Sequence, residues 1–186
     1  MVRVTGTALA AAALALVAMP ASADPPLRHS PQIAEMARGL ICSPAETGRR
    51  EAPDTMAGWI HVPDEPLRII EKSTTAPAVL GMGFGVEFRL AGGEPLALRY
   101  SVTHPPIPPE GRSVQSWDGV AWPHRDEAVF FLFDIEEERQ PGRWSFTATH
   151  GGTEIFHAEF DVVAPEAAPH LTGLCRDGGL LSLARP

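Results

Sequence analysis

The stretch Pro141-Gly142-Arg143-Trp144-Ser145-Phe146-Thr147-Ala148-Thr149-His150-Gly151-Gly152-Thr153-Glu154-Ile155-Phe156-His157-Ala158-Glu159-Phe160-Asp161-Val162-Val163 decides the fold. Trp144, Phe146 and Ala148 alternate with Ser145, Thr147 and Thr149, and after the glycine pair Phe156, Ala158, Phe160 and Val162 alternate with His157, Glu159 and Asp161. Neighbouring side chains of a strand point to opposite faces, so each arm carries one apolar face and the glycines supply the turn. An antiparallel hairpin of this kind must cover its apolar face with another layer, which predicts an all-β sandwich.

Working outward, the pattern repeats. Leu80, Met82, Phe84, Val86, Phe88 and Leu90 fall on one face of a predicted strand, with Gly81, Gly83, Gly85, Glu87 and Arg89 on the other. A glycine stripe inside a strand marks a bend or the close approach of another backbone, here either a crossing by the N-terminal segment or a flexible strand entrance. Gly92-Gly93-Glu94-Pro95 reads as a turn, and Leu96, Leu98, Tyr100 and Val102 as a further half-buried strand. Ala128 to Ile135 is apolar on both faces, with Phe130 and Leu132 opposite Val129, Phe131 and Phe133. Such a run is either a strand covered on both sides or an exposed patch. Met56 to Val62, with apolar residues on both faces, and Leu67 to Ile70 read as short strands. For residues 31–42 a helix from Ser30-Pro31 and a strand entering at Leu40 to Cys42 fit equally. The acid run Glu136-Glu137-Glu138 reads as a solvated turn. The sum is an immunoglobulin-like antiparallel sandwich of about seven strands, its core within about 55–163, with irregular N- and C-terminal segments.

Residues 1–23 have the parts of a secretory signal peptide: Arg3, an apolar run from Ala8 to Ala18, and the small-residue site Ala21-Ser22-Ala23. Cleavage there leaves residues 24–186 as a single mature domain, periplasmic or secreted, with no segment for membrane insertion. That chain carries 14 basic and 23 acidic side chains, a net −9. An acidic chain whose single lysine is Lys72 lacks the electrostatic footprint of a nucleic-acid binder. In an oxidising compartment its two cysteines, Cys42 and Cys175, are expected to pair as a disulfide between the two terminal segments, two free thiols being the alternative.

Thr75-Ala76-Pro77-Ala78-Val79-Leu80-Gly81 leading into Phe84-Gly85-Val86-Glu87-Phe88, then Thr103-His104-Pro105-Pro106 and Pro141-Gly142-Arg143-Trp144-Ser145-Phe146, together resemble the bacterial family called domain of unknown function 3859. The resemblance covers roughly residues 33–163. It implies an immunoglobulin-like fold in exported proteins and brings no catalytic residues with it.

Residues 104–127 read as one long proline-stiffened loop that presents Trp117 and Trp122 between His104 and His124. Aromatic anchors of this sort suit a binding surface for an envelope protein or a glycan, while the plainer reading packs both tryptophans over the end of the sandwich. The Phe130 and Leu132 face is a second possible contact. The histidines His29, His61, His104, His124, His150, His157 and His170 support an alternative, a periplasmic metal or small-ligand carrier, but none sits at a metal-ligand spacing, so no metal site is assigned. Gly-x-Ser-x-Gly, phosphate-loop and His-Glu-x-x-His motifs are absent, and no cofactor is implied. The expected function is therefore non-catalytic binding.

Overall fold

The computed structural model describes residues 25–44, 48–64 and 67–175. The signal peptide expected at residues 1–23 lies outside the described residues. In chain order the strands are β1 (Leu27–His29), β2 (Ile33–Cys42), β3 (Gly48–Glu51), β4 (Trp59–Val62), β5 (Thr75–Pro77), β6 (Met82–Leu90), β7 (Leu96–Ile107), β8 (Arg112–Ala121), β9 (Asp126–Leu132), β10 (Gly142–His150) and β11 (Thr153–Val163). The larger sheet runs β1-β11-β10-β7-β8, with β5 parallel to β11; the smaller runs β2-β6-β9, and β3-β4 stand apart as a hairpin. The fold is an all-β sandwich of immunoglobulin-like type.

The predicted final hairpin is present, with Trp144 opposite Phe160 and Phe146 opposite Ala158. Its apolar face meets that of β6. Phe84 lies 4.5 Å from Phe160 and 5.8 Å from Trp144 between ring centroids, and Phe88 lies 5.5 Å from Phe156. Trp144, Phe84, Phe146, Phe156 and Phe160 are fully buried. Rings packed at offset and edge-on angles across a two-layer core carry most of the apolar burial here, at about 3 to 5 kcal/mol for truncation of each.

Several expectations are corrected. Residues 33–42, open between helix and strand in the sequence, are strand, because pairing along β6 from Leu90 to Met82 satisfies their backbone. The N-terminal region therefore holds β1, β2 and β3 rather than irregular chain, and there are eleven strands among the described residues, not about seven. Leu67 to Ile70 forms no strand; Leu40 instead exchanges two backbone hydrogen bonds with this crossing segment, to Ile70 and Glu71. Leu80 does not join the core face of β6: it lies before Met82 and is 44% exposed.

The glycine stripe is explained differently from either reading. A Cβ at Gly83 or Gly85 would run into the backbone of β9 at Phe131 and Val129, so the close neighbour is the adjacent strand. The crossing backbone is found one strand away, at Gly39, where a Cβ would collide with the Glu71 carbonyl and the Ile69 side chain.

The largest correction concerns residues 104–127. They form the ends of β7 and β9 and the whole of β8, joined by a short turn around the cis Pro108-Pro109 bond. The apolar residues of β8 fall on both faces, which is why it reads as loop: the inward positions are Gln115, Trp117, Gly119 and Ala121, while Val114 and Val120, with Trp122 just beyond the strand, are exposed. The prolines at 105 and 106 coincide with the irregularity in β7–β8 pairing between Thr103 and Ile107, where a missing N–H costs no ladder bond.

Cys42, the last residue of β2, forms the expected disulfide with Cys175, with 5.3 Å between their Cα atoms.

Candidate functional site

A two-sheet sandwich has two open flanks, and this one closes them differently. On the β2 and β11 flank, the Arg38 guanidinium on β2 donates to the Pro25 and Pro26 carbonyls, each at 2.6 Å, and to that of Glu159 on β11. There β5 also leaves the crossing segment to pair with β11. On the other flank the edge strands are β8 and β9, and no ladder joins them. The β3-β4 hairpin stands over that gap and leaves a cleft of about 730 Å³.

The cleft has an aromatic wall and a polar inner end. Tyr100, Trp117 and Phe131 line it from the two sheets, with Trp59 and Ile60 facing from β4. Burial pushes the Tyr100 phenol well above its usual range. The Arg49 guanidinium covers the Trp59 ring at 3.7 Å, and Trp59 meets His61 edge-on. His61 pairs with Asp134 at 2.9 Å through Nε2 and Oδ1.

Beneath this lies a hydrogen-bonded chain with a fixed polarity. The Met56 N–H donates to Gln115 Oε1 at 2.7 Å, which turns the Gln115 amide nitrogen towards both His104 Nε2, at 3.4 Å, and Glu138 Oε1, at 3.3 Å. His104 Nδ1 donates to the Pro105 carbonyl at 2.8 Å, so its Nε2 lone pair is free to accept. The Asp134 N–H donates to Glu138 Oε2 at 3.1 Å. Every polar atom of the chain is thereby satisfied. Burial holds the His104 imidazole below its usual range, against the pull of the Pro105 bond and helped by the Arg112 charge. Burial likewise pushes the Glu138 carboxyl up to about 7, against the hydrogen bonds from Asp134 and Gln115, and the Asp134 charge adds to the rise.

Glu138 is the residue that sequence reasoning missed. It closes the acid run expected to be a solvated turn, yet it is 2% exposed. The run is a single 3₁₀ turn, Glu136–Glu138. The turn leaves Glu136 and Glu137 exposed and turns Glu138 inward, where the Asp134 amide and the Gln115 carboxamide bond it. No spacing in the run marks it out from its two neighbours.

Of the four residues expected at a binding surface, only Trp117 lines the cleft. His104 is buried, its ring 4.6 Å from that of Trp144. Trp122 and His124 lie at the β8-β9 turn, Trp122 49% exposed with Arg125 near its ring and His124 at a positive φ of 65°. The four do not converge. Of the Phe130 and Leu132 pair, both line the cleft, although Leu132 is buried. His150 bonds the Ala97 carbonyl and His157 lies between Thr147 and Glu159. Among the described residues no three His, Cys, Asp or Glu side chains gather as a metal-binding group, and no helix is long and apolar enough to cross a membrane.

Fold and flank together define a class, the immunoglobulin-like β-sandwich with an inter-sheet cleft. The model of the family described as domain of unknown function (DUF3859) matches residues 30–162. The chain belongs to that family. An immunoglobulin-like protein of Pseudomonas aeruginosa, known from a crystal structure, is similar at 19% identity and a TM-score of 0.48, covering 76% of this chain and 100% of that one. No curated protein matches the chain.

Proposed function

We propose that this protein is exported and acts by binding, taking a small amphipathic ligand into the cleft between β8 and β9 under the β3-β4 hairpin. The observation that carries the reading is the unequal closure of the two flanks. Arg38, β5 and the segment around Glu71 sew one side shut, while the other keeps about 730 Å³ of space with aromatic walls and a few convergent polar groups. Concave sites of this size and lining are the usual form of small-molecule sites. The Cys42–Cys175 disulfide supports the exported setting, since such bonds persist in oxidising compartments.

The test uses nuclear magnetic resonance titration of the mature chain with three probes of similar shape: 2-phenylethylammonium, 2-phenylethanol and phenylacetate. Saturable binding of at least one, with amide shifts confined to β4, β8 and β9, is expected. Ala57→Trp, which fills the mouth, should remove it. Shifts centred on β1, β5 or β11, or no saturable shift with any probe, would refute the reading. N-terminal sequencing of the protein from the host envelope fraction tests export, with Asp24 as the expected first residue.

A further inference from the structure

The geometry points to an organic cation as the ligand of this cleft: an ammonium or guanidinium group on an aromatic or aliphatic body, with Glu138 as its buried counter-charge. The inference rests on the cleft being the binding site. Glu138 lines the cleft and is almost wholly buried, yet the groups donating to it, the Asp134 and Ile135 amides and the Gln115 carboxamide, are neutral. Among the described residues it forms no ion pair. A buried carboxylate without a positive partner is expensive, and a carboxylate has about four lone-pair directions, so acceptor capacity remains beside those neutral donors.

The positive groups of the lining do not supply the missing charge. Arg68 pairs with Asp126 and Arg125 with Glu127, all but Glu127 well exposed, and Arg50 donates to the Asp118 carbonyl. These arginines are exposed, Arg68 and Arg125 held by acids and Arg50 by a backbone carbonyl, while Asp134 and Glu138 are the acids of the opposite, less exposed end. An anion entering would meet carboxylates. A cation would meet Glu138 and the faces of Trp117, Tyr100 and Phe131, which attract positive charge through their ring quadrupoles. The chain's net charge of −8 favours the same sign of ligand at long range.

The titratable groups that share this end of the cleft are Asp134 beside Glu138, His61 on β4 paired with Asp134, and His104 on β7 linked through Gln115. Tyr100 and the rim ion pairs lie along the walls. Loss of a proton from Glu138 strengthens cation binding.

Isothermal titration of the mature protein with 2-phenylethylammonium, 2-phenylethanol and phenylacetate tests the assignment. At about pH 8 the cation should bind at least about tenfold tighter than the alcohol, and the acid weakest. Lowering the pH to about 5.5 should weaken the cation by about tenfold and leave the alcohol unchanged. Glu138→Gln should bring cation and alcohol within about threefold of each other and remove most of the pH dependence. A pH dependence that survives in the variant overturns the role of Glu138. Equal binding of cation and alcohol by the unaltered protein overturns the cation assignment and leaves the cleft reading standing, whereas no binding of any probe sinks both. The comparison on unaltered protein needs no variant to fold.

Discussion

Ionising Glu138 should weaken the fold, and the variant Glu138→Gln measures by how much. A carboxyl whose pKa is lifted from 4.5 to about 7 in the folded state holds its proton more tightly there than in the unfolded chain. Between those two values the native state binds more protons, so stability falls as pH rises through the window and levels off above the folded pKa. The full loss is about 3 kcal/mol on the linkage relation of about 1.4 kcal/mol for each tenfold change. His104 acts in the opposite sense. Its lowered pKa means that the unfolded chain binds its proton first on acidification, so this residue adds stability as pH rises towards 6.5. A single pH profile therefore mixes two opposed slopes. Urea denaturation followed by tryptophan fluorescence, run on unaltered protein and on Glu138→Gln at about pH 4, 6 and 8, separates them because only the Glu138 contribution differs. The difference in unfolding free energy, unaltered minus variant, should fall by about 3 kcal/mol across the range. A flat difference, or one that grows with pH, would show that Glu138 is solvated or paired and would refute the account of its burial.

Three further outcomes follow from the geometry. Gly39→Ala should cost at least about 2 kcal/mol in urea denaturation, because its Cβ meets the Glu71 carbonyl, a backbone atom that cannot swing aside; a loss below about half a kcal/mol would mean the crossing segment is loosely placed. Trp117→Ala should lower stability by about 3 to 5 kcal/mol, whereas Trp122→Ala, at an exposed turn, should lie within about 1 kcal/mol of the unaltered protein. Thiol titration of the unfolded, unreduced protein should find no reactive cysteine among Cys42 and Cys175, and reduction should cost up to about 5 kcal/mol on the loop-entropy relation for a separation of 133 residues.

The strands that were legible in the sequence are those with one face in the core and one in solvent. In β10 and β11, and over most of β6 and β7, burial alternates with the same period as the side chains, so the apolar residues mark the inner face directly. The pairing of Cys42 with Cys175 followed from their number and from the compartment. β8 escaped because it is an edge strand beside a cleft: its inner positions Gln115 and Gly119 serve the polar chain and the Tyr100 ring, and its outer valines face solvent. β2 was ambiguous because a ten-residue segment with apolar residues at Ile33, Met36, Ala37 and Leu40 satisfies a helical repeat as well as a strand, and only the available edge of β6 chooses between them.

The sequence by itself determined the class of fold, since period-two alternation is a local property that each strand carries alone. Tertiary structure decided the site. Which flank stays open depends on where Arg38 and β5 land, and whether Glu138 is solvated depends on residues 23 and 34 positions away in the chain, Gln115 and His104, closing over it. Burial and the pKa it sets are sums over neighbours brought together by folding, and no spacing along the chain encodes such a sum.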